Sequence, residues 1–232
     1  MSGSDPALEK LLSSISMHKD VLEGTAHLEI DGNRIVGSGS VPGFHLETDT
    51  SGDGIVIRVR VERGYRFEKP VHLCFGMLPA KGEQKIDMQV DVQEDAAVSF
   101  IAHCTFPNAL DVQHLMDAVL NVGPNANYSY FERHVHAEEG GITVVPKSKI
   151  FLAEGAQFRT EFEILKGRVG VMDMDYTAVA GARSLLEMTA RIYARGHDRV
   201  KIREAASLEG EGATGVLVSH LAVRDDATAE IY

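Results

Sequence analysis

Four side chains stand out for the chemistry they could carry out together. Cys104 and His114 lie in "SFIAHCTFPNALDVQH" (99–114), and Glu132 and His134 open "ERHVHAEEGG" (132–141). A thiolate, two imidazoles and a carboxylate form a soft-to-borderline donor set suited to iron, zinc or sulfide chemistry. The thiolate is also a nucleophile. Taken singly, each has a plainer reading: a buried cysteine is ordinarily a small core residue, and an inward histidine is ordinarily a hydrogen-bonded one. Burying all four together is costly unless they serve one another or a ligand. Whether they meet depends on the elements that carry them.

Those elements read as a repeat. A turn closing on alanine and followed by a strand recurs at Ala96, Ala126, Ala156, Ala182, Ala213 and Ala227, spaced 30, 30, 26, 31 and 14 residues apart. A period near thirty predicts a solenoid, in which each coil buries its apolar face only by stacking on its neighbours. Turns and strands with no intervening helix make it a β-helix. The alternative is an antiparallel β-sandwich with regular turns. Side chains alternate along a strand. After Ala156, Phe158, Thr160, Phe162 and Ile164 face in while Gln157, Arg159, Glu161 and Glu163 face out. Residues an even number beyond the alanine therefore point inward. Cys104 and His134 each lie eight residues beyond their alanine, so stacked coils place them about 5 Å apart. Glu132 shares the parity of His134, and His114 lies on the apolar parity of "DVQHLMDAVLNV" (111–122).

The expected architecture is all-β, with a helical segment over residues 1–25 and a β-helix domain over 26–232. In "DPALEKLLSSI" (5–15), Asp5 suits the cap and Pro6 the first helical position, and Leu8, Leu11, Leu12 and Ile15 share one face. The chain has 232 residues, 44% of them hydrophobic, and a formal net charge of −11. That charge would repel a phosphate backbone, so nucleic acid is set aside. No apolar run approaches the ~20 residues of a membrane helix, and no secretory leader pattern is seen. Two cysteines suit a reducing cytoplasm with free thiols. Phosphate loops, Cys-x-x-Cys pairs and nucleophile elbows are absent. The His-x-His of 134–136 lacks the later elements of a cupin metal site. Cys74 reads as core, and no groove of exposed acids suggests a carbohydrate-active β-helix enzyme.

Several segments together resemble the SufB/SufD family of iron–sulfur cluster assembly proteins. They are "EKPVHLCF" (68–75), the Cys-Thr-x-Pro of "HCTFP" (103–107), "DVQHLMDAVLNVGPNANYSY" (111–130) and "IFLAEGAQFRTEFEIL" (150–165). The resemblance implies a right-handed parallel β-helix that pairs with an identical chain or a second family member. It also implies recruitment of a SufC-type ABC ATPase, a sulfur donor system and a transient iron–sulfur cluster. On this reading the chain is an assembly scaffold rather than an enzyme. Cys104 matches the cysteine linked to sulfur receipt in SufB-type members. His114, Glu132 and His134 become candidates to lower the Cys104 pKa, relay protons or hold iron, His114 and His134 as its nitrogen ligands. The family's further His-x-x-Cys segment has no match, since "SHLAV" (219–223) carries Val223 where that cysteine would stand. The chain is therefore expected to be cut short at its C-terminal end. The competing reading is a structural β-solenoid interaction module in which Cys104 is merely packed.

Overall fold

The computed structural model describes residues 5–232; the first four residues of the expected helical segment lie outside them. Helix α1 (Pro6–Ser14) starts where Asp5 accepts a hydrogen bond from the Ala7 amide, with Pro6 at the first position, and it buries Leu8, Leu11 and Leu12. A 3-10 turn follows at Lys19–Leu22. Everything after it is strand and corner. The strands are β1 (His27–Asp31), β2 (Arg34–Gly39), β3 (Phe44–Asp49), β4 (Ile55–Val61), β5 (Val71–Gly76), β6 (Lys81–Val92), β7 (Ala97–Phe106) and β8 (Asp111–Val122). They continue as β9 (Asn127–His136), β10 (Ile142–Leu152), β11 (Gln157–Lys166), β12 (Val171–Ala180), β13 (Leu185–Ala194), β14 (Arg199–Leu208), β15 (Thr214–Val223) and β16 (Thr228–Ile231).

Successive strands go to alternate sheets. The first sheet runs β15-β13-β11-β9-β7-β5-β1-β2 and the second β16-β14-β12-β10-β8-β6-β4-β3. Each coil adds one strand to each sheet, giving a parallel β-solenoid of about six turns. Apart from the hairpins β1–β2 and β3–β4, every named strand pair is parallel, which rules out the antiparallel sandwich.

The alternating sequence accounts for the core. In β11 the burial alternates as the parity predicts, with Phe158, Thr160, Phe162 and Ile164 inside. The inward corner residue, alanine in four coils and Ser184 in one, follows a left-handed residue: Asp95, Asn125, Gly155, Arg183 and Gly212 all have φ between 53° and 73°. The first four of these amides reach the next coil, as in Asp95 N–H to the Pro124 carbonyl (2.9 Å) and Asn125 N–H to the Glu154 carbonyl (3.0 Å).

Two of the repeat assignments need correction. Gln157 pairs with Leu185, so the counterpart of Ala156 is Ser184, not Ala182. Ser184 keeps the inward place because its hydroxyl bonds to the Gly181 carbonyl at 2.7 Å, closing the turn on itself. Ala227 belongs to the other corner. Thr228 pairs with Arg199 in the second sheet, so the 14-residue step is half a coil.

Candidate functional site

Strand β7 places Val98, Phe100, Ala102, Cys104 and Phe106 in the interior, and β9 lies beside it in register, with Ala102 opposite Glu132 and Cys104 opposite His134. All three polar side chains are buried. One ligand atom from each of Cys104, Glu132 and His134 lies within 4.8 Å of the others. Oxygen Oε1 of Glu132 joins them: it accepts from the Cys104 thiol at 3.4 Å and from His134 Nε2 at 2.7 Å.

The hydrogen-bond chain continues beyond the three. His136 Nδ1–H donates to the Arg168 carbonyl at 2.9 Å, leaving Nε2 of the neutral ring as an acceptor. His134 Nδ1–H then donates to that Nε2 at 3.1 Å. His134 Nε2 faces a carboxylate oxygen, so a proton lies on that bond as well. The bond network thus assigns the His134–Glu132 pair one more proton than a neutral imidazole carries.

His114 comes from the opposite sheet, on β8. Its ring centroid is 6.0 Å from that of His134 and 5.1 Å from that of Phe106. Both ring nitrogens are buried without a hydrogen-bond partner, as is the Tyr130 hydroxyl. The structure therefore brings Cys104, Glu132 and His134 into contact and sets His114 beside them, unbonded. The walls are apolar: Phe162 packs on His134 at 4.7 Å between centroids.

Burial raises the Cys104 thiol pKa well above its ordinary value, and the Glu132 charge and hydrogen bond add to that rise. The expectation that Glu132 would lower this pKa is thus reversed, because a buried anion disfavours a second one. Burial also pushes the Glu132 carboxyl up, but the His134 hydrogen bond and charge, the His114 charge and the Cys104 bond outweigh it, and the group lies below its usual value. His114 is lowered to about 3, first by burial and then by the charge of His134. His136 is likewise lowered to about 3 by burial and His134, against the opposing Arg168 carbonyl bond.

Two of the site's three imidazoles are named from the sequence, and His136 is missed. It lies ten residues beyond Ala126 and so on the inward parity, and the His-x-His spacing is the signal that points to it. Cys74 is a free, buried thiol, as is Cys104. It lies on β5 with its side facing away from the interior, since Val71, Leu73 and Phe75 occupy the inner positions.

No family model matches the chain. A protein of Methanocaldococcus jannaschii named as an iron-sulfur cluster assembly SufBD family protein is 33% identical over 195 residues, 84% of this chain and 62% of that relative. A protein of Pyrococcus horikoshii with the same family name is 31% identical over 206 residues, 89% of this chain and 63% of the relative. The chain thus spans less than two thirds of the length of these curated relatives. With its parallel β-solenoid and these matches across most of its residues, the chain belongs to the SufB/SufD family.

Proposed function

We propose that this chain is a scaffold for iron–sulfur cluster assembly. Cys104 receives sulfur, Glu132 and His134 hold iron beside it, and His114 supplies a further nitrogen. The observation that carries this reading is the convergence of a thiol, a carboxylate and an imidazole on one point of an otherwise apolar interior. The family name of the relatives supports the same role. A SufC-type ABC ATPase, a sulfur donor system and a second SufB/SufD chain are the partners this role calls for. The cytoplasm is its setting, and the cluster is cargo, so the chain itself turns over no substrate.

The site is suited to exchange protons for a dication. Without metal, Glu132 carries a negative charge, Cys104 its proton and the His134 pair its extra proton, so the net charge is zero. A ferrous ion bound to the thiolate, the carboxylate and neutral His134 Nε2 also gives zero, because two protons leave as two positive charges arrive. Net charge matters in a low-dielectric interior, and metal ligands must be deprotonated to bind. Sulfur receipt balances as an exchange: the Cys104 sulfur attacks the outer sulfur of a donor persulfide, the donor thiolate leaves, and the Cys104 proton goes to it. Because Cys104 is wholly buried, the donor persulfide reaches it through an opening of the coil or as a small-molecule persulfide.

Anaerobic incubation with ferrous iron and sulfide, followed by visible absorption and iron and sulfide analysis, tests the proposal. The wild-type chain is expected to take up both, and Cys104→Ala to lose the sulfide-dependent absorption while keeping its far-UV spectrum. Equal loading by the variant would remove Cys104 from the mechanism. The burial and raised pKa of Cys104 favour a second reading, a purely structural solenoid module. That reading predicts no specific loading in either protein.

A further inference from the structure

A second group of titratable side chains lies on the outer face of the first sheet, separate from the interior site. Half-buried His27 and buried Glu29 stand on β1, buried His72 on β5 and buried His103 on β7, all at positions alternating with core residues such as Leu28, Leu73 and Ala102. The carboxylate of Glu29 is fully buried. One of its oxygens accepts from His27 Nδ1 at 2.8 Å and the other from His72 Nδ1 at 3.2 Å. His72 Nε2 then lies 3.3 Å from His103 Nδ1.

Three features make this a built recess. The residues opposite His27 and Glu29 on β2 are Gly39 and Gly37. A Cβ on Gly39 would sit 2.4 Å from His27 Nε2, and one on Gly37 would sit 2.5 Å from Glu29 Oε2. Leu8 of α1 closes over the same point, 3.4 Å from the Gly37 position. The partners of this buried carboxylate are imidazoles, not a lysine or arginine. A buried carboxylate without full charge compensation is costly.

We propose that His72 and His103 bind a borderline transition-metal dication of the Zn2+ or Fe2+ class on this outer face. Glu29 holds His72 from behind, and water completes the coordination. Two imidazole nitrogens on one tetrahedral ion, with bonds of about 2.0–2.1 Å, lie about 3.3 Å apart, which is the separation of His72 Nε2 and His103 Nδ1. A carboxylate accepting the other ring N–H of a metal-bound histidine is the usual second-layer arrangement, fixing both tautomer and orientation. His72 presents Nε2 to His103 because its Nδ1–H is held by Glu29 at 3.2 Å. This site is independent of the iron–sulfur role.

The test adds Zn2+ alone to the 15N-labelled wild-type chain and follows the imidazole nitrogens by long-range 1H–15N correlation. Shifts confined to His72 Nε2 and His103 Nδ1, over and above any at His134, are expected. Co2+ titration of a Cys104→Ala/Glu132→Gln/His134→Ala protein, which lacks the three converging interior donors, is expected to give about one ion per chain. Adding His103→Gln is expected to weaken that binding at least tenfold. Unmoved His72 and His103 resonances, or Co2+ uptake indifferent to His103→Gln, would overturn the assignment and leave the interior site untouched.

Discussion

Cys104 and His134 are direct partners across the parallel pair β7–β9, and a single oxygen of Glu132 accepts a hydrogen bond from both. The three groups therefore act as a unit rather than as separate ligands. Glu132→Gln keeps the shape but removes the charge that a dication would meet. We expect it to weaken ferrous or zinc binding at the interior site about tenfold or more, roughly 1.4 kcal/mol. Isothermal titration of Cys104→Ala, Glu132→Gln and their double variant measures the coupling. Strict additivity would contradict a shared site.

Charge balance at the same point makes a second expectation. Loading one dication at the interior site should release about two protons at neutral pH, one from Cys104 and one from the His134–Glu132 bond. Proton release in weakly buffered solution, compared between the wild type and Cys104→Ala, reads this directly. The variant should release about one proton. Release of no protons by the wild type would show that the thiol stays protonated.

The buried neutral histidines set the acid limb of stability. His114 and His136 are held near 3 and His103 near 4, all below the 6.5 of a free imidazole. The unfolded chain therefore binds more protons than the folded one as pH falls from 6.5, and stability falls with it, by up to about 1.4 kcal/mol per pH unit for each such group. His114→Leu should flatten that slope by one such increment. It should also raise stability at pH 7 by about 1 kcal/mol or more, since it removes two unbonded buried nitrogens. Urea melts between pH 7 and 4.5 give both quantities, and an unchanged slope would place His114 in contact with solvent.

Gly167 connects a corner to the site. Its φ is +82°, and a Cβ there would come within 2.0 Å of the His136 carbonyl oxygen. Gly167→Ala should destabilise the fold by about 2 kcal/mol or more, from left-handed strain and the backbone clash together. It should also disturb the His134–His136 bond before the chain unfolds. Imidazole resonances of His134 that stay in place in a folded variant would argue against that link.

Much of this arrangement was legible because the solenoid repeats the same physics in each coil. Alternation set the facing in β7, β9 and β11, and the alanine corners at Ala96 and Ala126 set the register that joins Cys104 to His134. It faltered at Ser184, where a hydroxyl bonded to its own turn replaces alanine and the coil is two residues shorter. Ala227 misled because both corners of a coil use a similar turn, so sequence alone does not say which one is being read. His72 and His103 were hidden for another reason. Their outward parity ordinarily means solvent, and only α1 folding back over β1, β2 and β5 buries that face. Glu29 reaches His72 across 43 residues, outside the period of the repeat.

The two antiparallel hairpins at the start of the solenoid give its assembly a direction. In β1–β2 the paired residues are as close in the chain as Asp31 and Arg34, and β3–β4 turns on the tight "TSGDG" segment. The parallel pairs of the later coils, by contrast, join residues about thirty apart, such as Ala97 with Asn127. Closing a short loop is faster and costs less entropy than closing a long one. The hairpins can thus form first and present ready-made edges onto which each later rung docks. Refolding should then be slowed by Gly32→Val, which disfavours the left-handed turn residue (φ +62°) of the first hairpin. A comparable change at Gly212, near the far end, should chiefly quicken unfolding. Stopped-flow chevrons of the two variants would show whether this molecule is laid down from one end like courses of brick.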